Sequence, residues 1–193
     1  IFALSTRWNA SRHTAGEALA EEILRLGIDH LELGYDLGVF LLPGIRSMVT
    51  SGAIRVDSLH NYCPVPASAP AGHPELFTLA SPDPRVRESA VTHTARTIRF
   101  AADIGATHVV MHCGHVDMPK ITPDLIALCE AGRQFDPTFE KKRMKMITAR
   151  EDKIGPQLEH LYRGLEQLLP VLQETRVCLA LENLPTWESI PTE

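Results

Sequence analysis

Four side chains define the chemistry this sequence could perform. Glu32, His60, His112 and Glu182 each sit in or close a short apolar run: His30 to Leu33, Ile54 to His60, Thr107 to His112, and Val177 to Glu182. The runs have the length and composition of strands, along which side chains alternate between two faces. His30 and Glu32 then share a face, as do Ile54, Val56, Ser58 and His60, then His108, Val110 and His112, and then Cys178, Ala180 and Glu182. Leu31, Leu33, Val109, Met111, Leu179 and Leu181 take the other face, which suits packing under helices. The third run is less regular, because alternation sends Arg55 and Asp57 to the helix side. A single His or Glu at a strand end is more often an ordinary hydrogen-bonded residue. Four in phase are costly to bury unless a metal or a substrate pairs them. Imidazole with carboxylate, and no thiolate at the matching positions, suits Zn, Mn, Fe or Co.

Helical patterns separate these runs, and alternating strands and helices imply a parallel sheet covered by helices. Phe2 to Thr6 reads as a first strand. Thr14-Ala-Gly-Glu17 has the form of a capping box, followed by an apolar stripe of Ala18, Ile23, Leu24 and Leu26, with Gly27 at the C-terminal cap. A second helix runs from Pro43 to Gly52. Asp83-Pro84 opens a third, which buries Val86, Ala90, Ile98 and Ala101, ends at Ile104 and is capped by Gly105. Residues 122–175 are mostly helical, in pieces near Pro123 to Ala131, Thr138 to Arg150 and on to Gln173, with Gly155-Pro156 expected to break or kink the last. Pro191-Thr-Glu193 has the form of another helix start. Residues 61–82 are rich in Pro and Ala, without period, and exceed the ~12–15 residues usual for structureless loops. This loop leaves from His60 and is stiffened by its prolines, so it is expected to fold over the mouth of the site.

Five such units do not close a barrel, which takes eight in about 250 residues. The 193 residues therefore read as one domain, 1–193, supplying about the first five βα units of a truncated TIM (β/α)8 barrel. The expected strand order is sequential, where an open doubly wound sheet would reverse at a switch point.

Bulk properties exclude several classes. No apolar run approaches the roughly 20 residues of a membrane span, and the first residues, beginning with Ile1, lack the features of a signal peptide. Cys63, Cys113, Cys129 and Cys178 are scattered, which rules out a disulfide scaffold or zinc finger and suits a reducing cytoplasm. A net charge of −5 makes nucleic acid an unfavoured partner. The basic stretch Lys141-Lys-Arg-Met-Lys145, with Arg133 and Arg150, reads first as a solvated helix face and second as a polyanion contact. No Gly-rich phosphate loop and no Gly-x-Ser-x-Gly elbow occurs. Cys63 and Cys113 read as buried thiols, and His13, His73, His93 and His160 as surface or loop residues.

Ser58-Leu-His60-Asn-Tyr-Cys-Pro64, Leu79-Ala-Ser-Pro-Asp-Pro84, Val109-Val-Met-His112-Cys-Gly114 and Leu181-Glu-Asn183 occur in that order. In this strand context they resemble the xylose isomerase-like barrel superfamily, in particular its sugar phosphate isomerase/epimerase branch, which is related to abasic-site endonucleases. The resemblance implies that Glu182 binds a divalent metal and can face the substrate carbon. It implies that His60 and His112 are metal ligands or pocket residues. The further ligands the family draws from strands six to eight have no counterpart here.

The expected function is a metal-dependent isomerase or epimerase of a small sugar, sugar phosphate or polyol, working by proton transfer through an enediolate. Glu182 and His112 are the expected catalytic residues, and Glu182, His60 and His112 the ligands of a divalent ion (Zn, Mn, Mg or Co). His60, Glu32, His115, Trp187 and Asn183 are the expected substrate contacts, although His115 and Trp187 could equally be loop residues. Two rivals remain: a zinc phosphodiesterase of the abasic-site endonuclease type, and a non-catalytic barrel used as a binding module. The expected partner is a carbohydrate, and a homo-oligomer is open.

Overall fold

In the computed structural model, which describes residues 2–191, the apolar runs form five strands. They are β1 (Leu4–Ser5), β2 (His30–Leu33), β3 (Arg55–His60), β4 (His108–Met111) and β5 (Cys178–Leu181). They lie in the order β1-β2-β3-β4-β5 with every neighbouring pair parallel. Sequential parallel strands joined by helical crossovers build a barrel wall, so the sequence's prediction of strand order holds. The helix start read at 191–193 rests on residues 192 and 193, which lie outside the described residues.

The crossovers are α1 (Gly16–Leu24), α2 (Leu42–Thr50), α3 (Pro84–Ile104) and, between β4 and β5, α4 (Thr122–Glu130) with α5 (Pro137–Thr175). Leu31, Leu33, Val56, Leu59, Val109 and Met111 are buried within the main core cluster that the sheet shares with helix residues such as Ile23, Ile45 and Ile98. Burying each such side chain stabilises the fold by about 1.5–3 kcal/mol before chain entropy is counted. Helix ends follow local chemistry: the Asp83 carboxylate accepts from the Arg85 N–H at 2.8 Å, and Gly105 closes α3 at φ 84°.

The strict alternation read into β3 is corrected by a bulge. His30 pairs with Arg55 and Leu31 with Val56, but Glu32 pairs with Ser58 and Leu33 with Leu59. Paired residues of parallel strands project to the same side, so the bulge turns Val56 to the helix face with Leu31, and Arg55 to the barrel side. Ser58 and His60 keep the face expected of them.

Three helix expectations are also corrected. The capping box at Thr14 does not form: the N-cap of α1 is Ala15, one residue later, without a side-chain cap. Gly16 lies so close to the backbone of Leu41 and Ile45 that packing against α2, not local capping, fixes that end. The buried face of α1 is Leu19, Ala20 and Ile23, while Leu26 is exposed. Finally, α5 does not break at Gly155-Pro156 but continues through Pro156 and Pro170. Buried Met146, Leu161 and Leu168, on either side of Pro156, tie this helix to the molecule. Gln157 is itself buried, accepting from Asp117 N–H at 3.1 Å and donating to the His115 carbonyl at 3.1 Å.

Residues 61–82 contain no helix or strand, as read, but they are not loose. Leu79 and Ala80 are fully buried, Val65 N–H donates to Leu37 O at 3.0 Å, and Ala80 N–H to Cys113 O at 3.2 Å. Thr78 packs on Gly114, where φ is 116° and a Cβ would come within 2.9 Å of it. The loop lies against the C-terminal ends of β2, β3 and β4.

Candidate metal centre

Each ligand-type side chain arrives at the C-terminal end of its own strand. His60 closes β3, and His112 and Glu182 directly follow β4 and β5. The ladder extends to these positions: Asn61 N–H donates to Val110 O at 2.8 Å, and Glu182 N–H to Met111 O at 3.0 Å. Backbone pairing, not side-chain flexibility, therefore fixes where the three groups converge. His60 Nε2 lies 3.3 Å and His112 Nε2 3.2 Å from the same oxygen, Glu182 Oε2. The imidazoles meet edge to face with centroids 5.2 Å apart. One donor atom from each of the three residues falls within 4.8 Å of the others, and among the described residues no other His, Cys, Asp or Glu group has that spacing.

The donor set fits a divalent cation. His60 Nδ1 sits 2.9 Å from the Asn61 carbonyl oxygen. A carbonyl only accepts, so Nδ1 carries a proton, which in the neutral tautomer leaves the Nε2 lone pair facing Glu182. A lone pair facing a carboxylate is unfavourable unless a proton or a cation lies between them. Two imidazole nitrogens and one carboxylate oxygen are the donors that borderline divalent ions take.

The loop contributes a second carboxylate that had no signal in the sequence. Glu75 Oε1 lies 3.5 Å from His112 Nδ1 and 3.3 Å from His115 Nδ1. His112, with His115 and His73 adding, holds the Glu75 carboxyl below its ordinary range against the opposing effect of burial. The Glu75 carboxylate, with Glu182 adding, raises the His112 imidazole above its ordinary value, again against burial. The Tyr35 ring stands edge-on to His60 at 5.0 Å, and the Arg7 guanidinium covers its face at 4.2 Å. Neither residue stood out in the sequence.

The remaining candidates are placed as follows. Glu32 lies on the barrel face one layer below His60, accepting from Ser58 Oγ at 3.3 Å. His115 reaches the site through Glu75, while its backbone bridges to Ser189. Asn183 is exposed just beyond Glu182. Trp187, half exposed, lines a hollow of about 340 Å³ between α4 and α5 with Leu125, Ile126, Phe139 and Met146. The segment carrying Trp187 is clasped by buried Glu188. Burial pushes that carboxyl up, but donors from Thr122 and Ile121 outweigh it and hold the pKa low. Cys63 and Cys113 are buried thiols, and burial pushes Cys113 up to about 12. Three of the six cations of the basic stretch are ion-paired, Arg133 with Asp136, Lys142 with Asp124 and Arg143 with Glu140. Among the described residues, no helix is long and apolar enough to cross a membrane.

The sequence profile of the family described as xylose isomerase-like TIM barrel matches residues 21–192. No curated protein sequence matches. Several solved structures share the fold. A D-tagatose 3-epimerase-like protein superposes with a TM-score of 0.55 at 15% identity, over 97% of this chain and 55% of that one. The 3-keto-D-glucoside 4-epimerase of E. coli gives 0.59 at 12% identity, over 91% and 53%. L-ribulose 3-epimerase gives 0.57 at 17% identity, over 94% and 48%. The chain thus spans about half the length of these relatives. A profile match running from α1 through β5, on a sheet with sequential parallel order, shows that this chain belongs to the xylose isomerase-like TIM barrel family.

Proposed function

We propose that this chain carries part of the active site of a divalent-metal-dependent isomerase or epimerase acting on a small sugar, sugar phosphate or polyol. The observation that carries this reading is the convergence of His60, His112 and Glu182 on one point at the C-terminal ends of adjacent strands. In parallel barrels that end holds the chemistry. Three structural relatives that bear epimerase names support the same class.

His60, His112 and Glu182 would hold the ion. When bound, such an ion polarises adjacent substrate oxygens and stabilises the negative charge of an enediolate. His60, with Nδ1 committed to the Asn61 carbonyl, can act only through Nε2. Glu182, through a carboxylate oxygen not bound to the ion, would take or return a proton at the carbon beside the carbonyl, while His112, with Nε2 toward the ion and Nδ1 toward Glu75, would hold the ion in place. Glu32, His115 and Asn183 would meet the sugar hydroxyls, and the loop 61–82 would exclude water. The paired state of Arg133, Lys142 and Arg143 favours a sugar over the polyanion that a zinc phosphodiesterase would bind.

The test is metal titration with Zn²⁺ and Mn²⁺, followed by incubation of the loaded protein with ketoses and aldoses in deuterated water. The expected result is one bound ion and deuterium exchange next to the carbonyl of at least one sugar. A protein that retains no metal, or that binds metal without exchanging any sugar, overturns the reading.

A further inference from the structure

His112 is held between two carboxylates, one on each ring nitrogen. Nε2 faces Glu182 at 3.2 Å, and Nδ1 faces Glu75 Oε1 at 3.5 Å. Both atoms of the second contact, Glu75 Oε1 and His112 Nδ1, are buried and have no aligned hydrogen bond. Leaving two complementary buried atoms facing each other yet unjoined is costly, and such groups call for an explanation.

We infer that Glu75 is a positioning residue that fixes the tautomer and ring orientation of His112 for metal binding, so that the loop 61–82 and the metal site form one unit. The inference rests on the metal reading above. An imidazole that gives its Nε2 lone pair to a cation must carry its proton on Nδ1, and the acceptor facing that proton is Glu75 Oε1. Carboxylate behind imidazole behind metal is a general arrangement that orients the ring and strengthens it as a ligand. His115 Nδ1, 3.3 Å from the same oxygen, offers a second donor that keeps the carboxylate aimed at the site.

The loop is fastened on both sides of Glu75, so the carboxylate is not carried on a free tip. Before it, the Val65 N–H donates to Leu37 O at 3.0 Å, and within the loop Tyr62 Oη–H donates to Phe77 O at 2.5 Å. Ala80 N–H then joins the backbone just past His112, at Cys113 O. A stronger Glu75–His112 contact would therefore tighten a segment that is already docked.

The experiment compares the unaltered chain with Glu75→Gln, which keeps the size of the side chain but removes its charge. Zn²⁺ affinity is measured by competition with a chelator, and the Nδ1–H proton of His112 by NMR of the zinc-loaded protein. The expected result is a roughly 10- to 100-fold loss of affinity in E75Q, together with loss or an upfield move of a downfield imidazole proton signal. As a second measurement, Zn²⁺ should slow amide exchange at Leu76 to Leu79 in the unaltered chain and not in E75Q. Equal affinity and an unchanged imidazole signal in E75Q overturn the inference while leaving the metal reading intact. Failure of the unaltered chain to bind Zn²⁺ overturns the metal reading and this inference with it.

Discussion

The barrel face of the sheet carries imidazole–carboxylate contacts at both ends, and the two ends are built differently. At the N-terminal end of β2, His30 Nδ1 lies 2.8 Å and 3.0 Å from the two oxygens of Asp57, a closed one-to-one pair. At the C-terminal end, His60, His112 and His115 meet Glu75 and Glu182 at 3.2–3.5 Å, and two buried polar atoms there lack an aligned partner. The lower pair satisfies itself and pins a strand. The upper cluster gathers more lone pairs than protons and leaves buried atoms unmatched, as ligand sites do. Parallel barrels divide their labour the same way, with stability at the N-terminal face and chemistry at the C-terminal face.

The sharpest way to break this comparison is to neutralise the carboxylate that His60 and His112 share. Glu182→Gln keeps the size of the side chain and removes the charge. Its Zn²⁺ affinity should fall by at least ~100-fold, since even outer partners of a metal ligand are worth ~10- to 100-fold. Its folding stability should change little, because the side chain is 42% exposed. Calorimetric titration and chemical denaturation measure the two quantities. Retained affinity would mean that the upper cluster is another structural pair.

A change of pH should separate two properties of the upper cluster. In the metal-free chain the Glu75 carboxylate raises His112 above its ordinary value of 6.5, against burial. A group that holds its proton more tightly when folded stabilises the fold fully below its unfolded pKa, and that contribution is lost as pH rises through the folded value. Glu75 is held below its ordinary 4.5, chiefly by His112 and against burial, so its contribution is present above that value and lost as pH falls through the lowered one. Metal-free stability from this pair should therefore be greatest between these limits and decline as pH climbs above 6.5. Zn²⁺ affinity should rise over the same climb, because a ligand imidazole must release its proton. Parallel slopes, in place of opposed ones, would show that His112 does not bind the ion.

What the sequence made legible follows from which forces act locally. β2 and β4 alternate cleanly, so their faces, and with them the placing of His112, could be read from two-residue periodicity. The bulge in β3 could not, because it arises from pairing with β2: one extra residue at Asp57 reverses the face of Val56 while leaving His60 where alternation put it. The start of α1 was hidden for a similar reason, since the close approach of Gly16 to α2 overrides the capping residues beside it. Proline 156 suggested a break that tertiary contacts on both sides of it prevent. Glu75 was the largest gap in the site. It is a single acid in a segment without period, and only the docked path of the loop brings it to His112.

The smallest expected effect belongs to the lower pair. Asp57→Asn replaces a charged acceptor with a neutral amide while leaving the backbone, whose carbonyl accepts from Thr107 N–H at 3.1 Å, able to hold the bulge. The Asp57 side chain is 43% exposed and His30 15%, so water already screens much of the attraction. The loss should be about 0.5–1 kcal/mol, the range of partly exposed ion pairs. Denaturant midpoints at matched slopes would measure it. Zn²⁺ affinity and its dependence on pH should stay as in the unaltered chain, because β2 and β3 enter the site through the far ends of their strands. A tenfold loss of affinity in D57N would mean that the bulge sets the register of His60, and that the two ends of the sheet are not independent.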